Sequence, residues 1–137
     1  MKTVWPSSSY KIVVPDDIKE QTDARVASFW VSGEPLLLQL SSYQRAKGSV
    51  ISAKERLKER MEKTPAKWTR IEPDLCVDPI VDQAAAGQLQ DGLTWLHAYF
   101  VWPHLTVYAT ISGPAQEVND PNSWARMALR KLALSIH

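Results

Sequence analysis

The chain holds a single cysteine, Cys76, in 137 residues. A lone thiol closes no internal disulfide, and without a Cys-x-x-Cys pair neither a thiolate zinc site nor a dithiol redox centre can be built. Histidine is scarce as well: His97, His104 and His137 are all there is. No His-x-His, His-Glu-x-x-His or two-histidine-carboxylate spacing links them, so no metal is expected. The five glycines, Gly33, Gly48, Gly87, Gly92 and Gly113, are too scattered for a phosphate-cradling loop. A Gly-x-Ser-x-Gly elbow is also missing, and Cys76 has no histidine near it in sequence. No catalytic constellation and no cofactor are expected.

Excess charge of either sign is lacking too. Sixteen basic against fifteen acidic residues leave a net charge of +1, which gives no reason to expect nucleic acid as a partner. No apolar run approaches the roughly 18 residues that a membrane span needs, so no membrane partner is expected. The opening MKTVWPSSSYKIVVP shows neither the apolar core nor the small-residue cleavage site of a signal peptide. The reading is a cytoplasmic protein.

What is present is ordinary globular material, 45% hydrophobic and 23% charged, with prolines at most of the predicted boundaries. Residues 1–9 read as a lead-in tail and residues 10–137 as one domain. Tyr10 to Val14 is a short strand stopped by Pro15. Arg25 to Ser32 and Leu36 to Tyr43 read as a hairpin around Gly33-Glu34-Pro35, with Arg25 to Ser32 apolar on both faces. From Gly48 the character turns helical. Ser52-Ala53-Lys54-Glu55 fits a capping box, with Ser49 as a competing cap one turn earlier. Val50, Leu57 and Met61 form the apolar stripe, Glu59 and Lys63 form an i,i+4 pair, and Pro65 ends the helix.

Between Pro65 and Asp82 a short edge strand is expected near Trp68–Glu72, and then loop. Asp82 to Gln90 reads as a weak strand at a sheet edge, through which a homodimer could pair. Asp91-Gly92 is a tight-turn pair. The most informative stretch follows, LTWLHAYFVW-PH-LTVYATIS, residues 93–112. Leu93, Trp95, Tyr99 and Val101 fall on one side of its first strand; Leu96, Ala98, Phe100 and Trp102 fall on the other. A strand apolar on both faces needs cover on both. The locked φ of Pro103 argues for a type I turn inside a longer loop at the tip. Asp120-Pro121 then reads as an N-cap with proline at N1, opening an amphipathic helix over 121–136. Its Ala125, Ala128, Leu129, Leu132 and Ile136 face inward, and Arg126, Arg130 and Lys131 face outward.

These elements predict an α+β domain: an antiparallel sheet of about six strands, covered by two helices in three layers. In this order of elements the chain resembles the Mog1/PsbP-like fold, including the bacterial domain of unknown function found in Eag-type secretion chaperones. The features carrying the resemblance are YKIVVPDD, the hairpin before a charged helix, the 93–112 hairpin, and the closing helix after NDPNSW. Those bacterial proteins tend to carry Gly-Trp after the first proline, whereas here Pro15 is followed by Asp16-Asp17-Ile18, so no functional residue is carried over. The resemblance implies a non-enzymatic role as chaperone, adaptor or immunity-like accessory protein.

Two sets of residues are candidates for binding. Six tryptophans are many for this length. Trp30, Trp95 and Trp124 suit the core. Trp5, Trp68 and Trp102 sit beside prolines or in weak segments, and with Tyr108 they would anchor another protein. The alternative is a small-ligand site or weak hydrolase pocket lined by Trp95, His97 and Tyr99. Asp74, Asp78 and Asp82 recur every fourth residue, but Pro79 interrupts any helix that would gather them, and a solvated loop is expected.

Overall fold

The computed structural model describes residues 1–44, 51–64, 66–72 (70–72 as backbone) and 74–135. Gly48, Ser49, Val50, Pro65, Pro73, Ile136 and His137, which entered the sequence reading, lie outside the described residues.

The segment expected as a tail is a strand. β1 (Lys2–Ser7) pairs antiparallel with β2 (Tyr10–Val14), from Lys2 opposite Val14 to Ser7 opposite Tyr10. The register slips between Val4 and Ser7, and Pro6, which has no N–H for the ladder, sits within that irregularity. In β2 the alternate residues Tyr10, Ile12 and Val14 are buried, as a half-covered strand requires.

β3 (Lys19–Asp23), KEQTD, was not anticipated and is exposed throughout. Such a charged strand has no apolar alternation to reveal it; as a sheet edge it discourages pairing with other chains. It pairs with β4 (Val26–Trp30), which pairs with β5 (Leu37–Gln44). The expected hairpin is therefore present. Burial of β4 on both faces is not: Ala27 and Phe29 are buried, Val26 is exposed and Trp30 is half-buried.

α1 (Ala53–Lys63) begins where the capping box placed it, with the Glu55 amide donating to Ser52 Oγ at 3.1 Å. A second acceptor comes from far along the chain, because Asp82 Oδ2 takes the Ala53 amide at 2.8 Å. The Glu59–Lys63 ion pair is not formed among the described residues, where the sole ion pair joins the Met1 amino group to Asp16. β6 (Lys67–Glu72), β7 (Asp82–Gln90), β8 (Leu93–Trp102) and β9 (Leu105–Gly113) complete a seven-stranded antiparallel sheet in the order β3-β4-β5-β9-β8-β7-β6. The free edges are β3 and β6. β7 is paired on both sides, which corrects its expected edge position and leaves no open ladder at 83–90 for a homodimer.

Asp91 and Gly92 both have positive φ, 54° and 76°, the signature of a type I′ turn. At the other tip Trp102 pairs directly with Leu105, so Pro103-His104 is a two-residue connection and not part of a longer loop. Neither residue has positive φ; the turn is unprimed, as the proline requires.

The C-terminal helix is shorter than predicted. α2 (Ala115–Val118) is a separate turn, and α3 (Trp124–Arg130) starts at Ser123, whose Oγ accepts from the Arg126 amide. Asp120 caps no helix: its Oδ1 takes the Asn122 amide at 2.9 Å in a local turn. Beyond Arg130 the chain becomes β10 (Ala133–Leu134), pairing with β2 to complete a three-stranded sheet in the order β1-β2-β10. Arg126, expected outside, is buried and donates from Nε to the Val118 carbonyl at 3.1 Å.

The fold is α+β, with seven- and three-stranded sheets and three short helices where one sheet of about six strands and two helices were expected. One apolar cluster joins Phe29, Leu38, Phe100 and Ile111 of the large sheet to Ile12 and Val14 of β2 and Leu129 of α3. A second cluster joins Ala53 and Leu57 of α1 to Ala86, Tyr99 and Val101. β8 is thus covered on both faces from Leu96 onward. α1 spans only the β7–β8 side of its face. Over β4 and β5 that face is left open, with Ser28, Trp30, Gln39 and Ser41 half-buried. No helix among the described residues is long and apolar enough to cross a membrane.

Candidate functional site

The open half of the face ends at a buried histidine. Strand alternation puts Trp95, His97 and Tyr99 on the α1 side of β8, and the register sets Tyr108 of β9 opposite Tyr99 and Thr110 opposite His97. His97 is 8% exposed. Its Nδ1 lies 2.5 Å from the Tyr108 hydroxyl, and its Nε2 lies 2.5 Å from Gln88 Oε1 of β7. Trp68 meets the imidazole edge-on with ring centroids 5.0 Å apart, while Trp95 and Tyr108 lie nearly parallel to it.

These contacts assign the tautomer. Gln88 Nε2 donates to Gln90 Oε1 at 3.2 Å, which orients the Gln88 amide with its oxygen toward His97. An amide oxygen only accepts, so the proton resides on Nε2 of the imidazole and Nδ1 accepts from Tyr108. The polar groups form a one-way chain, Tyr108 to His97 to Gln88 to Gln90. Burial, then the Arg60 charge nearby, push the His97 pKa down to about 4; the ring is neutral at physiological pH. Burial also raises the Tyr108 phenol.

Arg60 of α1 closes one side. It donates from Nε to the Tyr99 hydroxyl at 2.7 Å, and its guanidinium carbon sits 3.9 Å from the Tyr108 ring centroid. A cation held on aromatic faces this way is oriented without being neutralised. On the other side a cleft of about 270 Å³ opens over Val26, Gln39, Ser41, Trp95, His97, Tyr108 and Thr110.

The structure therefore brings Trp95 and His97 together at one cleft, while Tyr99 turns under α1 to hold Arg60. Of the proposed protein anchors, Trp102 must be corrected. It is 1% exposed and its indole donates to Asp78 Oδ2 at 3.0 Å, so it is a core residue that no partner can reach. Trp68 is half-buried against His97 with its Nε1 buried and unpartnered, and Tyr108 is bonded to His97. Trp5 is exposed, at 59%, on β1 of the smaller sheet. Trp30, Trp95 and Trp124, assigned to the core, are only half-buried.

Gln88, Arg60, Gln39, Ser41 and Thr110 were missed. Gln88 is polar and 1% exposed, and a buried amide implies a partner, but DQAAAGQLQ holds three glutamines and nothing in the sequence marks which of them is enclosed. Asp78 and Asp82 hold Trp102 and the α1 amide, and no group of three or more His, Cys, Asp or Glu among the described residues could hold a metal. Cys76 is buried, its thiol donating to the Leu132 carbonyl at 3.2 Å, and burial foremost raises its pKa. Such a thiol is unreactive. His104 is exposed at the hairpin tip.

No family model matches the chain, and no curated protein matches it. A solved structure from Bacteroides thetaiotaomicron VPI-5482 is similar, with a TM-score of 0.53 over 91% of this chain at 11% identity. This chain spans 44% of the length of that one. At such identity the likeness concerns the fold alone.

Proposed function

We propose that this protein is a non-catalytic binding domain that takes a small, largely apolar ligand in the cleft beside His97. The observation carrying this reading is the placement of an open cleft over a floor of Trp95, His97, Tyr108 and Thr110, with α1 stopping short of it. Apolar walls with a few oriented polar groups are what small-molecule sites share. Both imidazole nitrogens are engaged within the protein. A general base needs a free nitrogen within reach of substrate, so the hydrogen bonding supports binding over hydrolysis. A cytoplasmic setting belongs to the same proposal.

The test is a fragment screen read by amide and indole NMR. Ligands should shift the Trp95 indole and the Thr110 amide together, and Ser41→Trp, which fills the cleft, should abolish the shifts while leaving the spectrum folded. Fragments that never perturb those two signals would overturn the reading.

A second reading is that the open face receives another protein, as chaperone, adaptor or immunity-like partner, within a Mog1/PsbP-like three-layer arrangement. Half-exposed Trp30 and Trp95 on one unroofed stretch favour it. Capture of a folded partner that Ser41→Trp and Trp30→Ala both release would support this version, and fragment binding without any such partner would count for the first.

A further inference from the structure

A second cleft, of about 300 Å³, lies on the flank of α1 and is lined by Tyr43, Arg56, Glu59, Arg60, Lys63 and Tyr99 among others. Arg56, Arg60 and Lys63 follow i, i+4, i+7 spacing, which stacks three cations on one stripe of the helix. Like charges four apart destabilise a helix unless something offsets them. No ion pair among the described residues does. Among the described residues no carboxylate comes within ion-pair distance of the three, Glu59 in the same cleft included.

Two of the three, Arg56 and Arg60, are instead set on aromatic rings, while Lys63 is exposed. The Arg56 guanidinium lies 5.1 Å from the Tyr43 centroid, and Arg60 lies 3.9 Å from Tyr108 and 5.7 Å from Tyr99. Arg56 Nε is buried with no hydrogen-bond partner. Arg60 donates one hydrogen bond among the described residues, from Nε to Tyr99. The terminal amino groups of its fork are left over, in the geometry that suits oxygen atoms of an anion. Partly desolvated cations that are oriented but not neutralised lack a counter-charge, and a bound anion would supply it.

We propose that this cleft binds a small phosphate group, as inorganic phosphate or a phosphomonoester, between Arg56, Arg60 and Lys63. Three cations against Glu59 leave an excess that matches a dianion, whereas a lone carboxylate would occupy a single guanidinium fork. Tyr43 and Tyr99 form the wall against which the organic part of a monoester would lie.

Inorganic phosphate is titrated into the full chain at constant ionic strength, and the Arg56 and Arg60 Nε–H signals are followed by NMR. Both should shift together and saturate, with a Kd of about 1 mM or tighter. Arg56→Gln/Lys63→Gln, which leaves the packing of Arg60 on Tyr99 and Tyr108 intact, should weaken binding by about tenfold or more. A small phosphomonoester that binds more tightly than phosphate extends the site to the tyrosine wall. Shifts that do not saturate, that acetate reproduces at equal concentration, or that persist in the double variant would overturn the proposal. The two clefts report separately: phosphate is read at the arginine Nε–H groups, and the His97 ligand at the Trp95 indole and Thr110.

Discussion

The Tyr108 hydroxyl and His97 Nδ1 stand 2.5 Å apart, diagonal to one another across adjacent strands, with the tyrosine donating and the imidazole accepting. That direction follows from Gln88, whose Oε1 in its observed orientation can only accept from the His97 Nε2–H. It defines a neutral, fully engaged histidine.

His97 should make stability depend on pH below neutrality. Its pKa is about 4 in the folded chain, below the ordinary 6.5. Between those values the unfolded chain binds the proton and the folded chain does not, so stability rises with pH. The contribution is complete above about pH 6.5 and declines as pH falls toward 4, by at most about 1.4 kcal/mol per pH unit. Urea midpoints across that window should fall more steeply for the natural chain than for His97→Asn. Parallel profiles would reject the depressed titration.

Tyr108→Phe deletes the donor to Nδ1 and leaves a buried acceptor unsatisfied. A loss of about 1–3 kcal/mol is expected. Because the lost bond favoured the neutral ring, the His97 titration should move upward. An NMR midpoint that stays put would show that the hydroxyl does not donate to Nδ1.

Asp82→Ala removes a carboxylate from the first turn of α1, where it accepts the Ala53 amide and faces the positive end of the helix dipole. The expected cost is about 1 kcal/mol, with faster amide exchange over the first turn of α1. An unchanged exchange pattern would mean that Ser52 alone holds the helix start.

Trp102→Ala should behave as a core truncation, costing about 3–5 kcal/mol, because the indole is enclosed and bonded to Asp78. Thermal unfolding measures it directly. A variant of near-natural stability would mean that the side chain had been solvent-facing after all.

The features readable in the sequence were those decided within a few residues. Ser52-x-x-Glu55 marked a helix start because the Ser52 cap bond to the Glu55 amide is local, and Asp91-Gly92 marked a turn because positive φ at both positions is a property of the pair. The apolar residues on both sides of 93–102 announced a strand covered on both faces, which holds from Leu96 onward and not at Leu93 or Trp95. Asp120-Pro121 carried an equally strong local signal and was overruled: β10 pairs with β2, and the helix that Asp120 would have capped begins at Ser123. The site was half readable. Trp95 and His97 were named from one strand, but their partners Gln88, Tyr108 and Arg60 arrive from β7, β9 and α1.

Short-range chemistry, then, was written in the chain itself: turns, caps, strand periodicity and the two-sided burial of β8. Long-range pairing belonged to the tertiary structure alone. It put β7 inside the sheet, sealed Trp102 against Asp78, buried Arg126, and stopped α1 before it covered β5. Those outcomes depend on which surfaces meet across tens of residues, and local propensity carries no information about such meetings.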